Sequence, residues 1–217
     1  MVAQVGWVAV AAAVSSAILH IYAEYRGPVR LIYIAKPLTT LLLVAVALLA
    51  NTPERSYQVP IVVGLLLSLV GDVFLMLPGD HFVAGLVSFL VAHIAYIVAF
   101  TSGIGLGHEP LLLLPYVVLA SGVLVFLWPR LGTLRLPVVV YVAALVVMAW
   151  QASVRATNFT SLFTAAAAAG AFLFVVSDGV LAINRFRLKF RVAQAVIMST
   201  YVAAQTLIAL SVWREVG

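Results

Sequence analysis

The chain has 217 residues, of which 65% are hydrophobic and only 9% are charged, with a formal net charge of +5 and no cysteine. So few charges cannot clothe a water-facing surface, because a soluble domain carries about 25% charged residues. The basic residues lie in short segments between apolar runs, which leaves no nucleic-acid-binding face, and the lack of cysteine removes disulfides, thiol nucleophiles and thiolate metal sites.

A hydrocarbon core about 30 Å thick asks for about 20 mostly apolar residues per helical span. Eight such runs nearly exhaust the chain. The first, 2–22, has no basic segment ahead of its apolar stretch and reads as a span rather than a secretory leader. The second, 31–50, contains Lys36-Pro37 and is followed by the loop 51–55. The third, 59–77, ends in the turn Pro78-Gly79-Asp80-His81. The fourth, 82–104, leads through Gly103-x-Gly105-x-Gly107 to the fifth, 111–128. The sixth is 134–151 and the seventh 162–183; the basic segment 185–191 then leads to the eighth, 192–213. The expected fold is all-α, a polytopic transmembrane helical bundle of about eight spans, with residues 1–217 forming one domain.

Loop charges set the expected orientation. One side holds eight Lys and Arg residues (Arg26, Arg30, Arg130, Arg135 and the four within 185–191), the other Arg55, Arg155 and Arg214. The positive-inside rule puts the first set in the cytoplasm and both termini outside; in a bacterial cell the membrane would be the plasma (inner) membrane. A faint repeat also shows. Gly71-Asp72-Val73 near the end of the third run has a counterpart in Ser177-Asp178-Gly179 near the end of the seventh, and Pro37 has one in Pro137. A 4+4 arrangement of parallel halves would place a site at their interface, although chance produces such matches too.

Four ionisable side chains fall inside the expected spans: Lys36, Asp72, His93 and Asp178. A charge at the centre of a span costs about 3 kcal/mol or more, so such groups are functional candidates and need partners. Asp72 and Asp178 each lie about five residues before the end of a run, ~7–8 Å deep, and Lys36 is about as far in from the same side. His93 is about eleven residues in, ~16 Å deep. All four occupy the basic half of the bilayer, where four helices would close one polar cavity around them. Ser68 shares a face with Asp72, and Tyr96 shares one with His93. Pro37 leaves the carbonyl of Tyr33 without its helical donor, beside Lys36.

Each candidate has a plainer reading: a snorkelling Lys36, structural aspartates, a packing histidine. His20 and Glu24 read as interfacial, Asp80 and His81 as solvated turn residues, and His108 and Glu109 as loop residues. No metal site is expected, since the His and acid spacings of zinc sites are missing. The glycines at 64, 71, 103, 105 and 107 and the stretch 165–170 read as close helix packing.

The block Gly71-Asp72-Val73-Phe74-Leu75-Met76, followed by Phe82, Gly85-Leu86, Phe89 and Ala92-His93-x-x-Tyr96, resembles the YhhN-like lysoplasmalogenase family, as do Lys36-Pro37 and Ser177-Asp178. The resemblance runs along essentially the whole chain. It implies a cofactor-free enzyme that hydrolyses the vinyl-ether bond of a lysolipid substrate, with Asp72 and Asp178 catalytic. Lys36, His93, Tyr96, Tyr33 and Ser68 would bind or support, and the lipid chain would lie between helices among the membrane lipids. Two other classes of function fit the same polar residues: a small-molecule or proton-coupled transporter, which would need polar lining through to the far half of the bilayer, and a lysolipid-binding protein without turnover.

Overall fold

The computed structural model describes residues 2–213, so Arg214 lies outside the described residues. Eight α-helices follow one another: α1 (Val2–Arg26), α2 (Val29–Leu49), α3 (Arg55–Met76), α4 (Phe82–Thr101), α5 (Pro110–Leu127), α6 (Arg135–Asn158), α7 (Leu162–Phe186) and α8 (Ala193–Leu210). Two short 3-10 turns, Trp128–Arg130 and Gly132–Leu134, join α5 to α6. All eight helices are long and apolar enough to cross a membrane. Their outward faces carry large apolar side chains in the open, such as Trp7 at 63% and Leu111 at 81% exposure. Water would not tolerate so extensive an apolar surface; lipid does. This is an integral membrane protein.

Inside lipid, burying apolar area gives little net gain, so helices associate through close packing and interhelical hydrogen bonds. The contact between α3 and α4 shows how. A Cβ on Gly64 would stand 2.3 Å from the Tyr96 ring, and one on Gly71 would stand 2.6 Å from the Phe89 ring. These glycines let two aromatic rings of α4 lie flush on α3. Residue 72 follows Gly71, so about 100° of helical rotation carries it off the α4 contact. A third close approach, Gly170 of α7 against the Ala204 carbonyl of α8, fits the small-residue stretch 165–170. By contrast, Gly103 and Gly105 have φ of +77° and +75° and serve the turn after α4 rather than helix packing. Of that trio only Gly107 is a packing glycine, set against Val154.

Consecutive helices pack along the chain except α4 and α5, and α2 also packs on α8 and α4 on α6. Exchanging the two four-helix halves turns the first of these cross-pairs into the second, but the α1–α8 contact has no counterpart of like extent between α5 and α4. The proline signal is less regular. Pro137 sits in the first turn of α6, where its missing N–H costs nothing, whereas Pro37 is interior to α2.

The helix bounds differ most from the expected spans at α6, which runs seven residues past the apolar stretch to Asn158. Arg155, expected in a loop, therefore lies within the helix and is 5% exposed. Its Nη1 donates to the Ser102 carbonyl at 2.7 Å, its Nη2 faces Glu54 at 3.7 Å, and its guanidinium covers the rings of Tyr57 and Phe159 at 4.3 and 4.9 Å. These contacts fasten the end of the bundle opposite the basic loops.

Candidate active site

A cavity of about 470 Å³ opens at the basic end of the bundle. Asp72 of α3, Asp178 of α7, Lys36 and Tyr33 of α2 and Tyr201 of α8 all line it. Asp72 is four residues from the end of α3, but Asp178 is eight from the end of α7, because that helix continues past its apolar stretch to Phe186. Measured along their helices the two aspartates are at unequal depths, ~6 and ~12 Å, yet they face one space.

Asp72 is almost fully engaged. Its Oδ1 faces Lys36 Nζ at 3.4 Å, and its Oδ2 accepts from Thr40 Oγ1 at 3.0 Å and from the Tyr201 hydroxyl at 2.7 Å. Lys36, at 12% side-chain exposure, is a partner rather than a snorkelling surface charge. Behind Tyr201 a relay continues: Gln205 Nε2 donates to the Tyr201 hydroxyl at 3.2 Å, and the Tyr96 hydroxyl donates to Gln205 Oε1 at 2.8 Å. Tyr96 therefore sits behind the cavity wall, fully buried, and so does Ser68, one turn from Asp72.

Asp178 has a different surround. Its Oδ2 accepts from the Tyr141 hydroxyl of α6 at 2.5 Å, and His93 Nε2 lies 3.0 Å from that hydroxyl and 3.5 Å from the carboxylate. His93 is completely buried and stands behind Asp178, outside the cavity lining. Between the two carboxylate systems stands Phe174, one turn before Asp178. Its ring centroid is 4.9 Å from that of His93 and 5.5 Å from that of Tyr201.

Sequence reasoning misses the hydroxyl partners of the carboxylates, the place of His20 and Glu24, and the role of the Asp80–His81 turn. Tyr141, Tyr201 and Thr40 hold the carboxylates, yet hydroxyl-bearing residues are unremarkable in a span until a partner 37 or 129 positions away is known. A weak cue existed: Tyr201 and Gln205 share a face at i and i+4, well inside a span. His20 and Glu24 were read as interfacial, but His20 is 1% exposed, its Nε2 is 3.2 Å from Glu24 Oε1, and both line the cavity. Asp80 and His81 do belong to a turn, and that turn forms the cavity rim with Arg185 and Lys189. Arg185 Nη2 donates to Asp80 Oδ2 at 2.6 Å and holds that carboxyl below the usual carboxylate range, with the Phe82 amide adding to the effect.

Comparison with known proteins adds the family. The YhhN family pattern matches residues 31–212. A Bos taurus protein named lysoplasmalogenase TMEM86A is 41% identical over 162 residues, which is 70% of this chain and 64% of the bovine one. The Homo sapiens lysoplasmalogenase TMEM86B is 37% identical over 171 residues, 76% of this chain and 68% of its own. The uncharacterized membrane protein YhhN of Escherichia coli is 32% identical over 199 residues, 91% of this chain and 95% of its own. No solved structure matches. A pattern that spans α2 to α8, and with them every residue of the cavity wall named above from Tyr33 to Tyr201, makes this chain a member of the YhhN family.

Proposed function

We propose that the protein hydrolyses the vinyl-ether bond of lysoplasmalogens, giving a fatty aldehyde and glycerophosphoethanolamine or glycerophosphocholine. One observation carries the reading: two largely buried carboxyls share a cavity beneath a basic rim, in a chain whose relatives include proteins named lysoplasmalogenase.

The chemistry suits two carboxyls. A carboxylic acid gives its proton to the β-carbon of the vinyl ether, and the α-carbon and oxygen become an oxocarbenium ion. Water adds to the α-carbon and loses a proton to a carboxylate. The carboxylic acid so formed protonates the glycerol oxygen, the C–O bond breaks, the hemiacetal hydroxyl gives its proton to a carboxylate, and aldehyde and alcohol leave; one water is consumed and the starting acid is restored. Glycosidases use paired carboxyls for a similar cation, and unlike surroundings assign one the acid and the other the base role. Asp72 suits the anion, because both of its oxygens meet donors or the Lys36 ammonium. Asp178 suits the proton donor, because its Oδ1 makes no hydrogen bond among the described residues and only its Oδ2 is held. Arg185 and Lys189 at the rim meet the lipid phosphate, at the face that the positive-inside rule assigns to the cytoplasm.

Transport is the rival reading, and the packing beyond the aspartates speaks against it. Leu65, Phe100 and Ile208 are completely buried there, and Arg155 closes the far end. The test is aldehyde release by purified protein in detergent, from a lysoplasmalogen and from the matching saturated ether lysolipid. Aldehyde is expected from the vinyl ether alone. Asp72→Asn and Asp178→Asn should each lower turnover by about 100-fold or more while the protein stays monodisperse. A fully active Asn variant at either position would overturn the acid–base assignment.

A further inference from the structure

A second hollow, about 230 Å³, lies beside the polar cavity in the same half of the bundle. Most of its wall comes from one face each of three helices, with Ala120 and Val123 of α5, Val142 and Leu145 of α6, and Gly179 and Ala182 of α7, and α3 and α4 complete it. Its polar lining consists of Tyr141 and Asp178, which hydrogen-bond to each other. Both hollows are lined by Leu75, Phe82, Phe89, Asp178 and Leu181, so they adjoin along one wall and Asp178 stands in it. At the basic end the edge-on rings of Phe82 and Phe186, 5.3 Å apart, bridge α4 and α7.

We infer that this groove takes the first part of the aliphatic chain of a single-chain lipid, which reaches the polar cavity sideways from the basic leaflet. The inference rests on the lysolipid reading above and names the chain's path. The occupant follows from continuity. A polar hollow under a basic rim and an apolar hollow meet at one carboxyl, and an amphiphile straddling that wall has its head–chain junction at Asp178. A bilayer lipid lodged only in the groove would leave the polar cavity unused, and a second protein copy against the exposed face of α5 would not reach Asp178. Because lipid tails are as apolar as the groove, a chain gains little affinity by entering it. The groove fixes where the first carbons lie. Gly179 keeps it open: a Cβ there would meet only Val123, at 3.9 Å.

The experiment has two arms. In the first, a saturated ether lysolipid with a diazirine among the first carbons of its chain is photolysed with wild-type protein, and labelled peptides are mapped. Labels on the groove faces of α5 and α7 are expected; labels spread over the outer faces of α1 and α2 would overturn the inference. This arm needs no turnover, so it decides the groove even if no aldehyde is ever formed. In the second, kcat/KM is measured for a long-chain lysoplasmalogen and for a water-soluble analogue with a bare vinyl group. Ala120→Trp and Gly179→Leu should each lower the long-chain to short-chain ratio by about tenfold or more, whereas Gly122→Trp, on open space of the same α5, should leave that ratio as it is. An unchanged ratio in both plugged variants would also overturn it. Wild-type protein that takes the label on α5 and α7 but makes no aldehyde would sink the hydrolase and keep the groove.

Discussion

Lys36 and Asp72 illustrate how a buried charge survives in a membrane helix. The ammonium sits 3.4 Å from one carboxylate oxygen, and two hydroxyls donate to the other. Removing one partner of such a pair leaves the other uncompensated, at a cost of about 3–5 kcal/mol, whereas removing both is often neutral. Lys36→Met should therefore destabilise the protein strongly, and Lys36→Met with Asp72→Asn should recover most of that stability without recovering turnover. Thermal unfolding and aldehyde release, measured on wild type, Lys36→Met, Asp72→Asn and the double variant, check this. Equal melting points for Lys36→Met and wild type would mean that the pair contributes nothing. The charged members of the site were legible because each is conspicuous against apolar neighbours. Their hydroxyl partners were not, since a tyrosine mid-span costs little and its purpose depends on which helix it faces. The same limit hid His20, whose burial comes from the packing around α1 rather than from its place near the end of an apolar run.

Helix contacts, not helix propensities, decide where those side chains point. Gly71 brings the Phe89 ring onto α3, and Phe89 in turn lines both hollows. An alanine there favours helix by about 1 kcal/mol, but its Cβ would stand 2.6 Å from the ring, and overpacking costs about 1–3 kcal/mol. Gly71→Ala should thus lower the melting point and, by pushing Phe89 into the cavity wall, reduce kcat/KM; a crystal or cryo-EM structure with an unmoved Phe89 would refute that account. The strap between Asp80 and Arg185 behaves differently. Both side chains are well exposed, at 69% and 44%, so solvent screens the pair and it adds little to stability. The folded Asp80 value is lowered, so the pair is intact at neutral pH and is lost only as pH falls through that lowered value. Span positions were readable from apolar length. Helix ends were not, because α6 and α7 carry polar residues for several positions beyond the hydrocarbon-like stretch.

Over the whole bundle, the two ends have separate tasks. Exchange of the halves maps α3, carrying Asp72, onto α7, carrying Asp178, and maps the α2–α8 contact onto α6–α4. Each aspartate has a tyrosine and a nitrogen-bearing side chain from such a cross-pair, but the exchange swaps their helices: Tyr201 on α8 and Lys36 on α2 serve Asp72, whereas His93 on α4 and Tyr141 on α6 serve Asp178. Only the aspartates betrayed this pseudo-symmetry in the sequence, since the prolines fall at different places in their helices. The opposite end is held by Arg155. Its loss removes a charged hydrogen bond and two cation–π contacts, about 2.5–5 kcal/mol together, or a melting point lower by about 5–20 °C for a chain of this size. A hydrolase whose cavity opens only at the basic end should keep its kcat per folded molecule in Arg155→Met. A transporter should not: with Arg155 gone, the closure between α3, α4 and α6 loosens at the side where cargo would exit, and flux through proteoliposomes would change. Melting and kcat measured together on Arg155→Met therefore separate a clamp from a gate, and a fall in kcat at unchanged melting point would count against the division of labour argued here.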